Sequence, residues 1–356
     1  MDYFFAQVLT DICQHSMVAP GFPLRCMVVV NPVAGGFFIP SKWAAHLKTL
    51  AKYQQKAKAN PTRQIYKTVI MNITEGKGSA QEITKTFLNR VEKEPDPFYL
   101  IISAGGDGTH GEVMQAVYDT PAHIRRNMAI LRLPLGTGND GADSNDLGDA
   151  LDLLLNPVHV EYAPAVQLAP SKEGPSGWKG PFLAFNILSV GLDAFVTHQT
   201  NLLKSKVKGQ SYKFWLDIAT LSYDKKYKVD FMNVRVLDKN NKEISSFKEK
   251  LLLLAMGVTG KRTYGNQQKI LPDEHNNVCG IKQMTLLKKL AIKGQVTKGK
   301  HAKNPNAMFF NAHRLEFSCS YPILAQMDGE TILLQPEDFP AVMELTAPVI
   351  PLLKKD

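Results

Sequence analysis

The sequence predicts a two-part α/β protein: a parallel α/β domain followed by a mainly antiparallel β domain, a sandwich. Three observations carry the prediction. Between Arg25 and Asn156, four apolar, β-branched runs alternate with segments of helical spacing, as in a parallel sheet covered on both faces. From about Val158 strand-like runs follow one another and helical spacing becomes sparse, which fits antiparallel pairing. A chain of 356 residues also exceeds what one core usually fills.

Each element has its own signal. "RCMVVV" (Arg25–Val30) is a continuous apolar strand, and "NPVAGG" ends it. "SKWAAHLKTLAKYQQKAK" follows as a helix that starts at Ser41. "YKTVIMNI" (Tyr66–Ile73) is the second strand. The helix behind it opens with Ser79 and Glu82 at capping-box spacing. "FYLIIS" (Phe98–Ser103) is the third strand, with helix "HGEVMQAVYD" after it, and "MAILRLP" (Met128–Pro134) the fourth, followed by amphipathic "LGDALDLLLN". Beyond these, "HVEYAPAVQLA", "PFLAFNILSVG", "VDFMNVRVLD", "EISSFKEKLLLLAMGV" and "RLEFSC" read as strands, with "DKNN" (Asp238–Asn241) as a hairpin turn. The clearest helix of this half is "QSYKFWLDIATLSY". The expected domains are 1–157, joined by a returning segment 331–356, and 158–330.

Composition narrows the partners. Net charge is +9, which suits an anionic ligand such as a nucleotide, an acidic lipid surface or a nucleic acid. No RNP, helix-turn-helix or KH pattern is present, so no nucleic-acid partner is expected. The 4 cysteines lie far apart without CxxC spacing and read as reduced thiols of a cytoplasmic protein. The N-terminus, with Asp2 and Asp11, does not read as a signal peptide. No apolar run is long enough to span a bilayer.

The chemistry sits in the glycine loops. "GGDGT" (Gly105–Thr109) stands where the third strand hands over to a helix. Glycine lets backbone N–H groups come close to a phosphate, and the helix N-terminus adds favourable charge. A carboxylate, Asp107, beside phosphates calls for a divalent cation between them, so the loop points to Mg2+-nucleotide. "LPLGTGND" (Leu133–Asp140) repeats the arrangement after the next strand, so Asp107 and Asp140 flank one candidate metal site. Either loop alone reads as a capped turn; both together favour phosphate binding. No Walker A pattern and no protein-kinase HRD or DFG set is present.

"NPVAGG", "GGDGT…EV", "LPLGTGND", "NILSVGLDA", "ILPDE" and "QMDGE" occur in the order and approximate spacing of the diacylglycerol kinase catalytic-domain family. The chain resembles that family, and its bacterial lipid kinases in particular, from about Arg25 to Glu330. The resemblance implies a nucleotide-binding α/β domain of the NAD kinase and diacylglycerol kinase type, ATP and Mg2+ as cofactors, and a lipid substrate met peripherally at an anionic membrane. It implies that Asn31, Thr74, Gly105, Gly106, Asp107, Gly108, Thr109, Glu112, Gly136, Thr137, Gly138 and Asn139 border the nucleotide. It further implies that Asp328 and Glu330 are the catalytic pair, Asp328 as general base, and that Asp193 faces the lipid head. The chain departs from the family in placing Ala34 for the usual serine and Asp143 where a basic residue is usual. "TYGNQQKILPDEHNN" also lacks the family's glycine run.

Two other readings stay open: an NAD kinase-like enzyme, which shares GGDGT, and a non-catalytic lipid- or nucleotide-binding relative. Asp328 and Glu330 also read as a simple Asp-Gly turn, and His110 as an exposed helix-start residue. From Ile281 to Leu315 there are seven lysines, one arginine and no acid. That run is a solvated basic face or a membrane-docking patch, to which "KSKVKGQSYKFW" (Lys204–Trp215) would add. A homodimer is compatible with the sequence, which does not fix the oligomeric state.

Overall fold

The computed structural model describes residues 3–60, 67–94, 96–141, 146–170, 180–204, 223, 227, 229–265 and 268–355. They divide into two compact units, Met1–Ala163 with Pro348–Asp356, and Pro164–Ala347. Strands are numbered β1–β19 and helices α1–α9 along the chain.

The first unit is built on β1 (Leu24–Val30), β2 (Lys67–Ile73), β3 (Phe98–Gly105), β4 (Met128–Pro134), β5 (Val158–Ala163) and β19 (Ile350–Lys355), in the order β2-β1-β3-β4-β19-β5. The first four strands are parallel, β19 runs parallel to β4, and β5 closes the edge antiparallel to β19. Continuous apolar runs follow from burial on both faces: Cys26, Val28 and Val30 point into one core, while Met27 and Val29 are equally buried on the other side. On the first face pack α1 (Tyr3–Gln14), α3 (Pro40–Ala59) and α7 (Leu147–Leu155), through Phe5, Val8, Leu50, Tyr53 and Leu151. Helices α4 (Ser79–Val91) and α5 (Asp107–Tyr118) pack on each other. Short helices α2 (Gly35–Phe38) and α6 (Ala122–Arg125) complete the unit.

Several expectations are corrected here. α1, with an apolar face of Phe5, Val8, Leu9 and Ile12, is an additional core helix. α3 starts at Pro40, not Ser41, because proline's fixed φ and missing N–H suit the first helical position. The first unit extends to Ala163, because β5 pairs with β19 along its whole length. The returning segment begins at Pro348 rather than 331, because the strands between belong to the second unit. The helix expected over "QSYKFWLDIATLSY" lies outside the described residues apart from Tyr223, as does most of the basic-aromatic stretch from Lys204 to Trp215.

The second unit contains β6 (Val166–Pro170), β7 (Phe182–Ala184), β8 (Ile187–Gly191), β9 (Phe231–Leu237), β10 (Glu243–Gly257), β13 (Val278–Lys282), β14 (Ala307–Phe310), β15 (Arg314–Ser318), β16 (Ile323–Met327), β17 (Glu330–Leu334) and β18 (Ala341–Leu345) in one branched, wholly antiparallel sheet. A separate pair is formed by β11 (Arg262–Tyr264) and β12 (Gln268–Leu271). The long β10 explains the branching. Its first half, "EISSFKEK", alternates in exposure and pairs with β9; its second, "LLLLAMG", is buried throughout and lies between β8 and β13. Residues from both halves meet in one core, with Val166, Val234 and Phe317 against Val190, Met256 and Ala325. Helices α8 (Leu192–Lys204) and α9 (Leu286–Lys298) flank a second core around Phe195, Ala255 and Ile292.

Candidate functional site

In the first unit, parallel order β2-β1-β3-β4 brings four carboxyl ends to one edge, where open parallel sheets carry their ligands. Asn31 follows β1, Thr74 follows β2, Gly105 ends β3 and the segment Leu135–Gly141 follows β4. Thr74 N donates to Val30 O at 2.9 Å, and Asn31 N to Ala104 O at 3.0 Å. Asn31 Nδ2 donates to the buried Thr109 Oγ1 at 3.1 Å, tying the loop after β1 to α5.

The loops touch backbone to backbone. A Cβ on Gly136 would stand 2.4 Å from Gly106 Cα, and one on Gly36 would stand 2.5 Å from Leu135 O, to which Gly36 N donates at 2.8 Å. A Cβ on Gly35 would meet Thr137 Oγ1, and one on Gly105 would meet Thr109 Oγ1. Gly36 and Gly136 must be glycine for packing alone, because the atoms in the way are backbone. Gly108 is different: a Cβ there meets nothing within 4 Å. Asn139, at φ 60°, holds the second loop shut: its Oδ1 accepts from Gly136 N at 2.7 Å and its Nδ2 donates to Pro134 O at 3.1 Å.

Asp107 is the first residue of α5, and its Oδ1 accepts from Gly141 N at 2.7 Å. A Cβ on Gly138 would stand 2.9 Å from Oδ2 of Asp140 and 3.4 Å from Oδ2 of Asp107, so the two carboxylates converge beside Gly138. Among the described residues no group of three or more His, Cys, Asp or Glu side chains is arranged to hold a metal. Two hard oxygens without a full protein cage fit Mg2+, which keeps waters and takes phosphate oxygens as further ligands. Asp143 lies outside the described residues.

Two residues behave differently from the sequence reading. Glu112 spends both oxygens on α4, accepting from Gly78 N at 2.8 Å and Ala80 N at 3.0 Å. His110 is fully buried rather than exposed, with Nδ1 2.5 Å from Ser103 Oγ.

The second unit gathers the other candidates at the β16–β17 turn. Asp328 occupies the turn at φ 47°, followed by Gly329 at φ 103°. Its carboxylate accepts from three successive backbone N–H groups: Phe185, Asn186 at 3.1 Å and Ile187 at 3.0 Å. Such a run of N–H groups is an anion-holding nest, here filled by the protein's own side chain. Glu330 beside it is exposed. Asp193, in the first turn of α8, accepts from Ser189 Oγ at 2.7 Å and from Gln326 Nε2 at 3.3 Å, and Gln326 Oε1 accepts from Gly329 N at 3.2 Å. Gln326 thus connects Asp193 to the Asp328 turn. Both Gln326 and Ser189 are fully buried. Polar residues inside the apolar runs "ILAQM" and "ILSVG" were the available signal for them, as was the glycine pair of "NPVAGG" for Gly35 and Gly36. In "ILPDE", Asp273 accepts from His275 N and Asn276 N within its own turn, while Glu274 pairs with Lys261 at 2.9 Å.

Comparison with known proteins agrees with this architecture. The sequence model of the diacylglycerol kinase catalytic domain matches residues 25–161. A protein of Yersinia enterocolitica named "Probable lipid kinase YegS-like" is 30% identical over 65% of this chain and 72% of its own length. One of Enterobacter with the same name is 26% identical over 65% of this chain and 71% of its own. The crystal structure of a diacylglycerol kinase from Bacillus anthracis superposes with a TM-score of 0.56 at 14% identity, covering 93% of this chain and 97% of that one, and so shares the fold. The matched domain contains both glycine loops that meet at Gly106 and Gly136, and with the Yersinia relative it places the chain in the diacylglycerol kinase catalytic-domain family.

Proposed function

We propose that the protein is an ATP- and Mg2+-dependent lipid kinase that phosphorylates the hydroxyl of a diacylglycerol-like or sphingoid lipid at a membrane surface. The observation that carries this reading is the meeting of two glycine loops at one sheet edge with a pair of carboxylates beside them. The fit is to a polyphosphate. Backbone N–H groups at the start of α5 and the open face of Gly108 receive phosphate oxygens, and Asp107 and Asp140 hold the metal ion. The bound ion supplies neutralisation of phosphate charge.

Asp328 is assigned the acceptor of the lipid hydroxyl proton, with exposed Glu330 beside it. Its backbone hydrogen bonds fix the orientation of the carboxylate, and a loose phosphoryl-transfer transition state asks chiefly for an oriented acceptor. Asp193, oriented by Ser189 and Gln326, is assigned to the polar head of the lipid. No helix among the described residues is long and apolar enough to cross a membrane, which supports a lipid met from the water side.

The test is transfer of label from ATP with Mg2+ into vesicles carrying diacylglycerol, ceramide or sphingosine, with NAD in parallel. Label in one lipid, lost in a folded Asp328→Asn variant that still binds ATP, supports both reaction and base. Label in NAD alone replaces this reading with the NAD kinase one. ATP binding without transfer to any acceptor leaves the non-catalytic relative. Loss of the fold in Asp328→Asn makes the carboxylate a structural clamp of Phe185–Ile187.

A further inference from the structure

α9 is apolar on both sides. Lys289, Ile292 and Val296, at i, i+3, i+7 spacing, turn inward, and Ile292 and Val296 pack with Ile270 and Leu271. The opposite face should then be polar, yet it presents Leu286 (48% exposed), Leu287 (79%) and Leu290 (44%), with exposed Ala291 and Gly294 between them and no acid. Grouped exposed leucines on one helix face mark an interaction surface, whereas leucines scattered singly do not.

The charges around the leucines select the occupant. Of the cations between Ile281 and Leu315, Lys282 pairs with Glu249 and Arg314 with Glu316 and Glu344. Lys288, Lys298, Lys300 and Lys303 remain exposed on α9 and the 3-10 turn Lys300–Lys303. A second copy of this face would set lysines against lysines. An anionic lipid surface accepts both features, with leucines among the acyl chains and ammonium groups at the phosphates.

We infer that α9 is a membrane-docking helix that lies in the plane of an anionic bilayer with Leu286, Leu287 and Leu290 inserted. The inference deepens the lipid-kinase reading and rests on it for its purpose. α9 shares its core, through Ile292, with Ile187 and Leu324. Ile187 donates its N–H to Asp328, and Leu324 lies on the strand that leads into the Asp328 turn. Docking through α9 therefore sets on the bilayer the same body that carries the proposed proton acceptor.

The experiment is cosedimentation of the full chain, without nucleotide, with vesicles of phosphatidylcholine alone or mixed with phosphatidylglycerol. The parent should bind the mixed vesicles at least tenfold more tightly. The double variants Leu287→Ser/Leu290→Ser and Lys288→Glu/Lys298→Glu should each lose about tenfold or more. Lys239→Glu/Lys242→Glu, exposed at the β9–β10 turn, should bind like the parent. Equal binding to both vesicle types, or parent-like binding by the leucine variant, overturns the proposal. A parent dimer dispersed by the leucine substitutions, without vesicle binding, assigns the face to a second copy and overturns it too. Transfer to a short-chain, water-soluble diacylglycerol separates the two readings. Retention by the leucine variant places its defect in docking, and absence in the parent removes the kinase reading while the vesicle result stands.

Discussion

One methyl group should have opposite consequences at Gly136 and at Gly108. At Gly136 it would stand 2.4 Å from Gly106 Cα, a backbone atom that no rotamer change can move aside. Gly136→Ala should therefore force the two loops apart and lower stability by about 1–3 kcal/mol, the usual cost of overpacking. At Gly108 the methyl meets no protein atom within 4 Å and sits in the first turn of α5, where alanine is favoured over glycine by less than the roughly 1 kcal/mol of a helix interior. Gly108→Ala should hold or raise the unfolding midpoint, yet weaken ATP binding at least tenfold if phosphate approaches that backbone. Thermal unfolding with ATP titration checks both; a Gly108→Ala protein that binds ATP normally would take the phosphate away from this loop. His301 supplies the pH prediction. It is fully buried, and because a carbonyl only accepts, its Nε2 carries the proton donated to Ile270 O at 3.0 Å. Burial pulls its pKa below the ordinary 6.5, against the smaller opposing pull of that hydrogen bond. Above about pH 6.5 the ring is neutral in both folded and unfolded chains, and its contribution to stability is complete. As pH falls below that value the unfolded chain takes up a proton that the folded one refuses, so stability declines until the folded pKa is reached. Urea midpoints between neutral and mildly acid pH should fall less steeply in His301→Gln than in the parent; identical slopes would exclude the histidine.

At the scale of elements, α4 shows how a helix start is made from far away. Ser79 and Glu82 have capping-box spacing, but the N-cap is Gly78 at φ 84°, and Ser79 Oγ accepts from Glu75 N instead. The N–H groups of the N-cap Gly78 and of Ala80 are satisfied by Glu112, on the neighbouring helix and 32 to 34 residues away in sequence, while Ser79 N donates to Gly76 O. Glu112→Ala should lower stability by about 1–2 kcal/mol, the range of a lost cap, and Glu112→Gln by less, because one acceptor oxygen is kept. Denaturant midpoints check this. A loss of nucleotide affinity at unchanged stability would instead make Glu112 a direct ligand. Burial explains which elements could be read in advance. β1, β3 and β4 are buried on both faces, so each is a mainly apolar run, with Arg25, Ser103 and Arg132 as the polar exceptions. β5, "VHVEYA", is an edge strand with alternating exposure, a pattern shared with every half-solvated antiparallel strand, so its sequence alone does not separate it from the strands of the second unit. The Asp328 turn was legible as Asp-Gly between strands, whereas its three backbone donors, some 140 residues away, carry no local sequence signal.

For the whole molecule, motif order in the chain identified the family, but pairing between distant segments decided the topology. β19 contributes only "IPLLKK", with no strand signal of its own inside the returning segment expected from 331, yet it lies inside the first sheet between β4 and β5. Its pairing makes the second unit an insertion into the first: the chain leaves at Ala163 and returns at Pro348. The two ends of the first unit are neighbours, since Ala163 is in register with Ile350 and Val349 N donates to Ala163 O at 3.1 Å. Replacing residues 164–347 by Asn-Gly therefore leaves a four-residue loop between Ala163 and Ile350, within the normal range for a β-hairpin. That protein should fold as an α/β unit with a cooperative unfolding transition, because its six-stranded sheet and its core around Phe5, Val28, Leu50 and Leu151 are complete without the insertion. A chain ending at Ala347 makes the opposite case. It keeps the whole second unit but removes β19, so β4 loses a parallel neighbour and β5 loses its partner. Exposed, unpaired strand edges favour aggregation, so this chain should be recovered as aggregate or without a cooperative transition of its first unit. Circular dichroism and urea unfolding of the two proteins decide the matter. A folded truncation beside an unfolded excision would mean that the second unit, and not the last strand, completes the first.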